Sequence, residues 1–138
     1  MIRAEARIRV RYAETDAMGF VHHGRFIPWF ECARIEMLDG LGCPYRELEE
    51  AEGIRIPVLE VRCRYRAPAR FDDRIRVAAE IRDFPRARFR VHYEVRREDG
   101  ALLCEAETLH AFIDRAERAC RPPLRLREAF ARAFEDGA

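Results

Sequence analysis

The 138-residue chain is predicted to be α+β, with a five-stranded antiparallel sheet wrapped around one long buried helix and a further helix at the C-terminus. Three features predict it. The N-terminus alternates apolar and charged residues, a helical apolar spacing begins at Phe26, and alternating segments divided by short turns return after residue 54.

From Arg3 to Tyr12, Ala4, Ala6, Ile8, Val10 and Tyr12 share one side and Arg3, Glu5, Arg7, Arg9 and Arg11 the other, as in a half-buried strand. Phe26, Phe30, Ala33 and Met37 then recur at spacings of four, three and four, which marks a buried helix. Pro28 must lie in its first turn, where no intrahelical N–H is needed, so the helix is expected to start near Gly24 or Arg25. Gly40 and Gly42 end it, and Pro44 opens a short helix, Tyr45 to Glu52. Ile54 to Tyr65 is expected to form one long strand whose parity changes near Leu59 and Glu60, as a β-bulge requires. Ile75–Ile81 and Phe89–Val95 follow as strands. Leu102 to Ile113 is apolar on both parities and is expected at the sheet's centre, with short turns joining the last four strands. Beyond Pro122 and Pro123, Leu126, Ala129, Phe130, Ala133 and Phe134 describe an amphipathic helix.

Composition narrows the functional classes. Hydrophobic residues are 49% and charged residues 37% of the chain, which supports a packed core and excludes intrinsic disorder. One domain spanning residues 1–138 is expected, with no repeat or linker. The 26 basic residues, all arginine, nearly balance 25 acidic ones, so no overall field draws the chain to nucleic acid. No apolar block is long enough for a membrane span or signal peptide, and a cytoplasmic location is expected. Five scattered cysteines without a C-x-x-C pair read as free structural thiols. Cys32, on the buried helix, has no evident activating base.

Residues Tyr12 to Phe26 carry the most chemistry. Asp16, His22, His23, Gly19 and Gly24 precede a helix N-terminus, where free N–H groups favour developing negative charge. Asp16 could serve there as nucleophile or general base while those amides hold a carbonyl oxygen. Equally, Thr15 and Asp16 could do no more than satisfy a turn's donors, and the residues alone leave both readings open. Adjacent His22 and His23 do not make a metal site, since neighbours in sequence cannot easily share one ion. Glu31 and Arg34, three apart on the helix, are expected to pair with each other. Trp29 and Phe30 are read as core, and His92 and His110 as structural.

Tyr12, Glu14-Thr15-Asp16, Gly19, Val21 and His23, followed by Phe26, Glu31, Arg34, Met37-Leu38 and the stretch Arg66-Ala67-Pro68-Ala69-Arg70-Phe71-Asp72-Asp73, resemble the hot-dog-fold acyl-CoA thioesterases of the 4-hydroxybenzoyl-CoA thioesterase group. The similarity runs from about Arg3 to Ile113 and is greatest to the Tol-Pal-associated branch, which also has histidine at the position of His23. The resemblance implies that Asp16 is the catalytic carboxylate and that the His23 N–H helps hold the thioester oxygen, with the His23 side chain assisting. It implies that His22, with Gly24, Gly19 and Tyr12, lines the pocket, that neither metal nor cofactor is required, and that the substrate is an acyl-CoA. A homodimer, and a homotetramer built from it, is implied as well, with the active site at the dimer interface. Arg64, Arg66, Arg70 and Arg88 are candidates for the coenzyme A phosphates. A 3-hydroxyacyl thioester dehydratase and a non-catalytic acyl-CoA or acyl-carrier-protein binding module are the alternatives.

Overall fold

A computed structural model describes residues 1–136. The strands are β1 (Ile2–Arg9), β2 (Val58–Tyr65), β3 (Arg74–Ile81), β4 (Arg88–Arg97) and β5 (Leu102–Ala111), and the helices α1 (Phe26–Gly40), α2 (Tyr45–Glu52) and α3 (Leu124–Asp136). All neighbouring strands are antiparallel, in the order β1-β3-β4-β5-β2. The expected fold class is therefore present. Among the described residues, no helix is long and apolar enough to cross a membrane.

The connectivity differs from the expected run of short turns. β2 pairs with β5 and β3 with β1, so residues 66–73 must carry the chain across the sheet. β5 is an interior strand but stands one place from the centre, which β4 occupies. Its two-sided apolar pattern signals neighbours on both flanks, and that condition is met away from the centre too. The bulge falls where parity changes, since the β2–β5 register shifts between Val58 and Glu60. Residues 54–57 stay outside β2, with Arg55 bridged to Ile113 just beyond β5; Pro57, with no N–H, cannot extend the ladder.

α1 lies within the sheet's curve and buries Phe26, Trp29, Phe30, Ala33, Met37 and Leu38. It starts slightly later than expected because His23–Arg25 forms a 3₁₀ turn first, and Pro28 sits in the first α-helical turn. Gly42, at φ +74°, supplies the left-handed exit; Gly40 is simply the last helical residue. Phe30 stacks on Tyr93 of β4 at 4.6 Å, and Leu126 and Phe130 of α3 complete the core. Each such side chain contributes about 1.5–3 kcal/mol by burial.

One polar chain crosses this core. Arg34 Nη1 donates to Tyr93 Oη at 3.0 Å, Tyr93 Oη lies 2.7 Å from Thr108 Oγ1, and Thr108 Oγ1 lies 2.7 Å from His110 Nε2. Arginine can only donate, so Tyr93 Oη accepts from it; the direction of the next two bonds is set by the hydroxyl rotors and the His110 tautomer. Burial, aided by the Arg34 charge, lowers the His110 pKa to about 4 and keeps the ring neutral. The expected Glu31–Arg34 pair is not formed, because Tyr93 draws the guanidinium inward.

Candidate active site

The chain leaves β1 and folds back on itself before α1. A Thr15–Val21 bridge closes this loop, with Asp16 N–H donating to Phe20 O at 2.8 Å and His22 N–H to Glu14 O at 2.9 Å. Gly19, at φ +82°, makes the reversal that a side chain would strain. The crossover segment braces the loop from outside: Val21 N–H donates to Ala69 O at 2.8 Å and Val10 N–H to Asp73 O at 2.9 Å. Arg9 and Asp72 lock it at 2.6 Å. That bracing is the structural sense of the Arg66–Asp73 stretch.

Asp16, His22 and Gly24 share a surface cleft of about 450 Å³ with Thr15, Arg25 and Pro28. Asp16 is half-buried; its Oδ1 accepts from Met18 N–H at 2.9 Å, and among the described residues Oδ2 has no hydrogen-bond partner. The turn thus engages one oxygen of the carboxylate only. His22 Nδ1 accepts from Gly24 N–H at 3.1 Å, so that amide is engaged. The His23 N–H has no partner among the described residues, while the His23 carbonyl accepts from Tyr65 Oη of β2 at 2.8 Å. The two imidazoles stack at 4.2 Å.

Other candidates lie elsewhere. Tyr12 is 75% exposed and packs edge-on against Phe71, outside the cleft. It is the last residue of an alternating run, but the 3₁₀ turn Tyr12–Glu14 rotates it off the strand. Gly19 shapes the loop, and its N–H is taken by Asp16 O at 3.0 Å. The four arginines do not converge on the cleft. Arg66 pairs with Glu105 at 2.7 Å, Arg70 lies over the Phe20 ring at 4.8 Å, Arg64 shares an outer groove with Arg62 and Arg66, and Arg88 is exposed at the start of β4. The arginine at the cleft is Arg25, absent from the sequence-based candidates although its position before the helix could have suggested it.

Glu14 and Tyr65 were also missed. Glu14 is only 3% exposed, and its carboxylate accepts from Arg11 N–H and Trp29 Nε1, each at 2.8 Å. Burial pushes its pKa up, but those donors and the Arg11 charge outweigh it and hold the carboxyl below its ordinary range. Trp29 is buried as expected, with its indole N–H directed to this acid. A second, more apolar cavity of about 360 Å³ lies between α1, the sheet and α3, lined by Ile35, Leu38, Leu41, Phe89 and Leu126 among others.

Residues 10–134 match the family described as the Thioesterase-like superfamily. The acyl-CoA thioester hydrolase YbgC of Escherichia coli O6:H1 is 33% identical over 107 residues, covering 78% of this chain and 79% of that protein. The crystal structure of the hypothetical protein TT1821 from Thermus thermophilus superposes with a TM-score of 0.86 at 38% identity, covering 94% of this chain and 96% of that one. The DHNA-CoA thioesterase of Staphylococcus aureus gives 0.88 at 28% identity, covering 100% and 97%. The strand order, the enclosed helix and these likenesses together show that the chain belongs to the Thioesterase-like superfamily and has its hot-dog fold.

Proposed function

We propose that the chain is an acyl-CoA thioesterase, hydrolysing a thioester to a carboxylic acid and coenzyme A. The observation that carries this reading is an open Asp16 oxygen and an unpartnered His23 N–H on one loop at the entrance to α1. Asp16 accepts a proton from the attacking water, or itself attacks the carbonyl carbon to form a mixed anhydride that water then hydrolyses, releasing the acid and restoring the carboxylate. The oxygen becomes an oxyanion facing the His23 N–H, the C–S bond breaks, and coenzyme A leaves as the thiol after taking a proton. The His23 imidazole assists that transfer. Tyr65 holds the carbonyl of His23 and so fixes the 3₁₀ turn that follows it. His22 and Gly24 form the cleft wall, and Arg25 offers a cation there to a coenzyme A phosphate. Water is the co-substrate, and no cofactor enters the reaction.

The name of the E. coli relative supports the substrate class. The second cavity has room for an acyl group. β2 is an edge strand with Val58, Leu59, Val61 and Tyr65 exposed, an edge that a second copy pairing through β2 would cover. The enzyme acts as that homodimer, or as a homotetramer of two, in the cytoplasm, where acyl-CoA is available.

A thiol-trapping assay over acyl-CoAs from short aliphatic to aromatic tests the reading. Wild type should release free thiol, and Asp16→Asn should lose on the order of 10²- to 10⁴-fold in kcat while still binding substrate. Tight binding without release across the panel would establish a binding module instead. Water addition to an enoyl thioester would establish a dehydratase.

A further inference from the structure

We infer that Glu14 is a positioning residue for this reaction, tying α1 to the chain just past β1 so that Asp16 and the His23 N–H keep their mutual placement; the inference rests on the thioesterase reading above. Three bonds of Glu14 reach three segments. Oε1 accepts from Arg11 N–H, two residues past β1, at 2.8 Å; Oε2 accepts from the Trp29 indole, in α1, at 2.8 Å; the main-chain carbonyl accepts from His22 N–H at 2.9 Å. Asp16 is two residues after Glu14, and His23 is one residue after His22. Glu14 therefore holds both arms of the loop that bears the reacting groups and fastens them to the helix.

The chemistry calls for a carboxylate. Two N–H groups from separate elements converge on its two oxygens, and Arg11 Nε stands 3.4 Å from Oε1. A carboxylate only accepts, whereas glutamine in the same place would turn an NH₂ toward one of the donors. Burying a charge costs several kcal/mol unless such partners offset it. An apolar residue of similar volume would fill the space but hold neither N–H. The arrangement serves placement of the loop more than it serves burial.

The test uses Glu14→Gln and Trp29→Phe in the full chain, with steady-state kinetics on an acyl-CoA that wild type hydrolyses, thermal melting, and emission from the only tryptophan of the chain in Glu14→Gln. Glu14→Gln should lower kcat by about ten- to a hundredfold, with KM within about twofold, and shift the Trp29 emission. Trp29→Phe should lose kcat in the same way, and the double variant should lose no more than the worse single variant. A folded Glu14→Gln enzyme with a changed Tm but wild-type kcat would reduce Glu14 to a structural role and overturn the proposal. So would a loss confined to KM, or additive losses in the double variant. Should Glu14→Gln fail to fold, a Trp29→Phe enzyme with unchanged kcat overturns the proposal equally. An inactive wild type sinks the thioesterase reading itself, whereas an active wild type with equally active variants sinks only this inference.

Discussion

In the core, Thr108 and His110 complete a hydrogen-bond chain that begins at Arg34; in the loop between β1 and α1, Thr15 and His22 bond locally and leave an aspartate oxygen and an N–H open. Both regions combine hydroxyl, imidazole and a charged neighbour. In the core chain Tyr93, Thr108 and His110 Nε2 are all engaged, His110 Nδ1 is the one buried side-chain nitrogen left without a partner among the described residues, and Thr108 and His110 are no more than 1% exposed. The loop is bonded only as far as its shape requires. The proposed function draws on the second arrangement, because a group whose bonding capacity is used inside the protein has nothing to offer a substrate.

The same substitution in both regions should separate them most widely. Thr108→Val removes the partner of both Tyr93 Oη and His110 Nε2, and is expected to destabilise by roughly 2–5 kcal/mol in denaturant unfolding with little effect on kcat at temperatures where it stays folded. Thr15→Val loses one exposed bond to Tyr12 O and should cost less than about 1 kcal/mol while lowering the hydrolytic rate. Equal destabilisation at both sites would erase the distinction.

Acid sharpens the comparison at intermediate size. The His110 pKa is lowered from 6.5 to about 4, so between those values the unfolded chain binds a proton that the folded chain refuses. Its contribution is full above about pH 6.5 and is lost as pH falls toward 4, amounting to at most about 3 kcal/mol. Burial shifts the less enclosed His92 in the same direction. Unfolding measured across this range should show a slope that His110→Gln largely removes, with His92→Gln as the comparison; a slope untouched by His110→Gln would refute the assignment. The smallest effect is expected at the surface. Arg66→Ala breaks an exposed pair with Glu105 and should change stability by no more than about 1 kcal/mol, a loss that added salt reduces in wild type.

Local pattern carried much of the architecture. Alternation located the strands, and the three-and-four spacing from Phe26 located α1, because side-chain direction along one element depends on that element's own geometry. The bulge in β2 was legible for the same reason. The expected Glu31–Arg34 pair failed because helical spacing says only which side chains are neighbours, and Tyr93, 59 residues from Arg34 in sequence, is the better partner. Glu14 was likewise hidden by the distance to Trp29, fifteen residues along the chain. Tyr12 was misplaced because alternation does not reveal where a strand yields to a turn.

By itself the sequence determined the α+β class, the element types, the enclosed helix and a loop rich in acid and imidazole, all of which follow from the chain's short-range periodicity and turn chemistry. Tertiary structure alone decided that β2 and β3 lie apart, which Asp16 oxygen stays open, that Gly24 N–H is taken while His23 N–H is not, and that Arg25 rather than Arg64, Arg66, Arg70 or Arg88 stands at the cleft. The reason is physical. Periodicity constrains residues within a few positions of one another, whereas strand order and hydrogen-bond partners depend on which distant segments pack together.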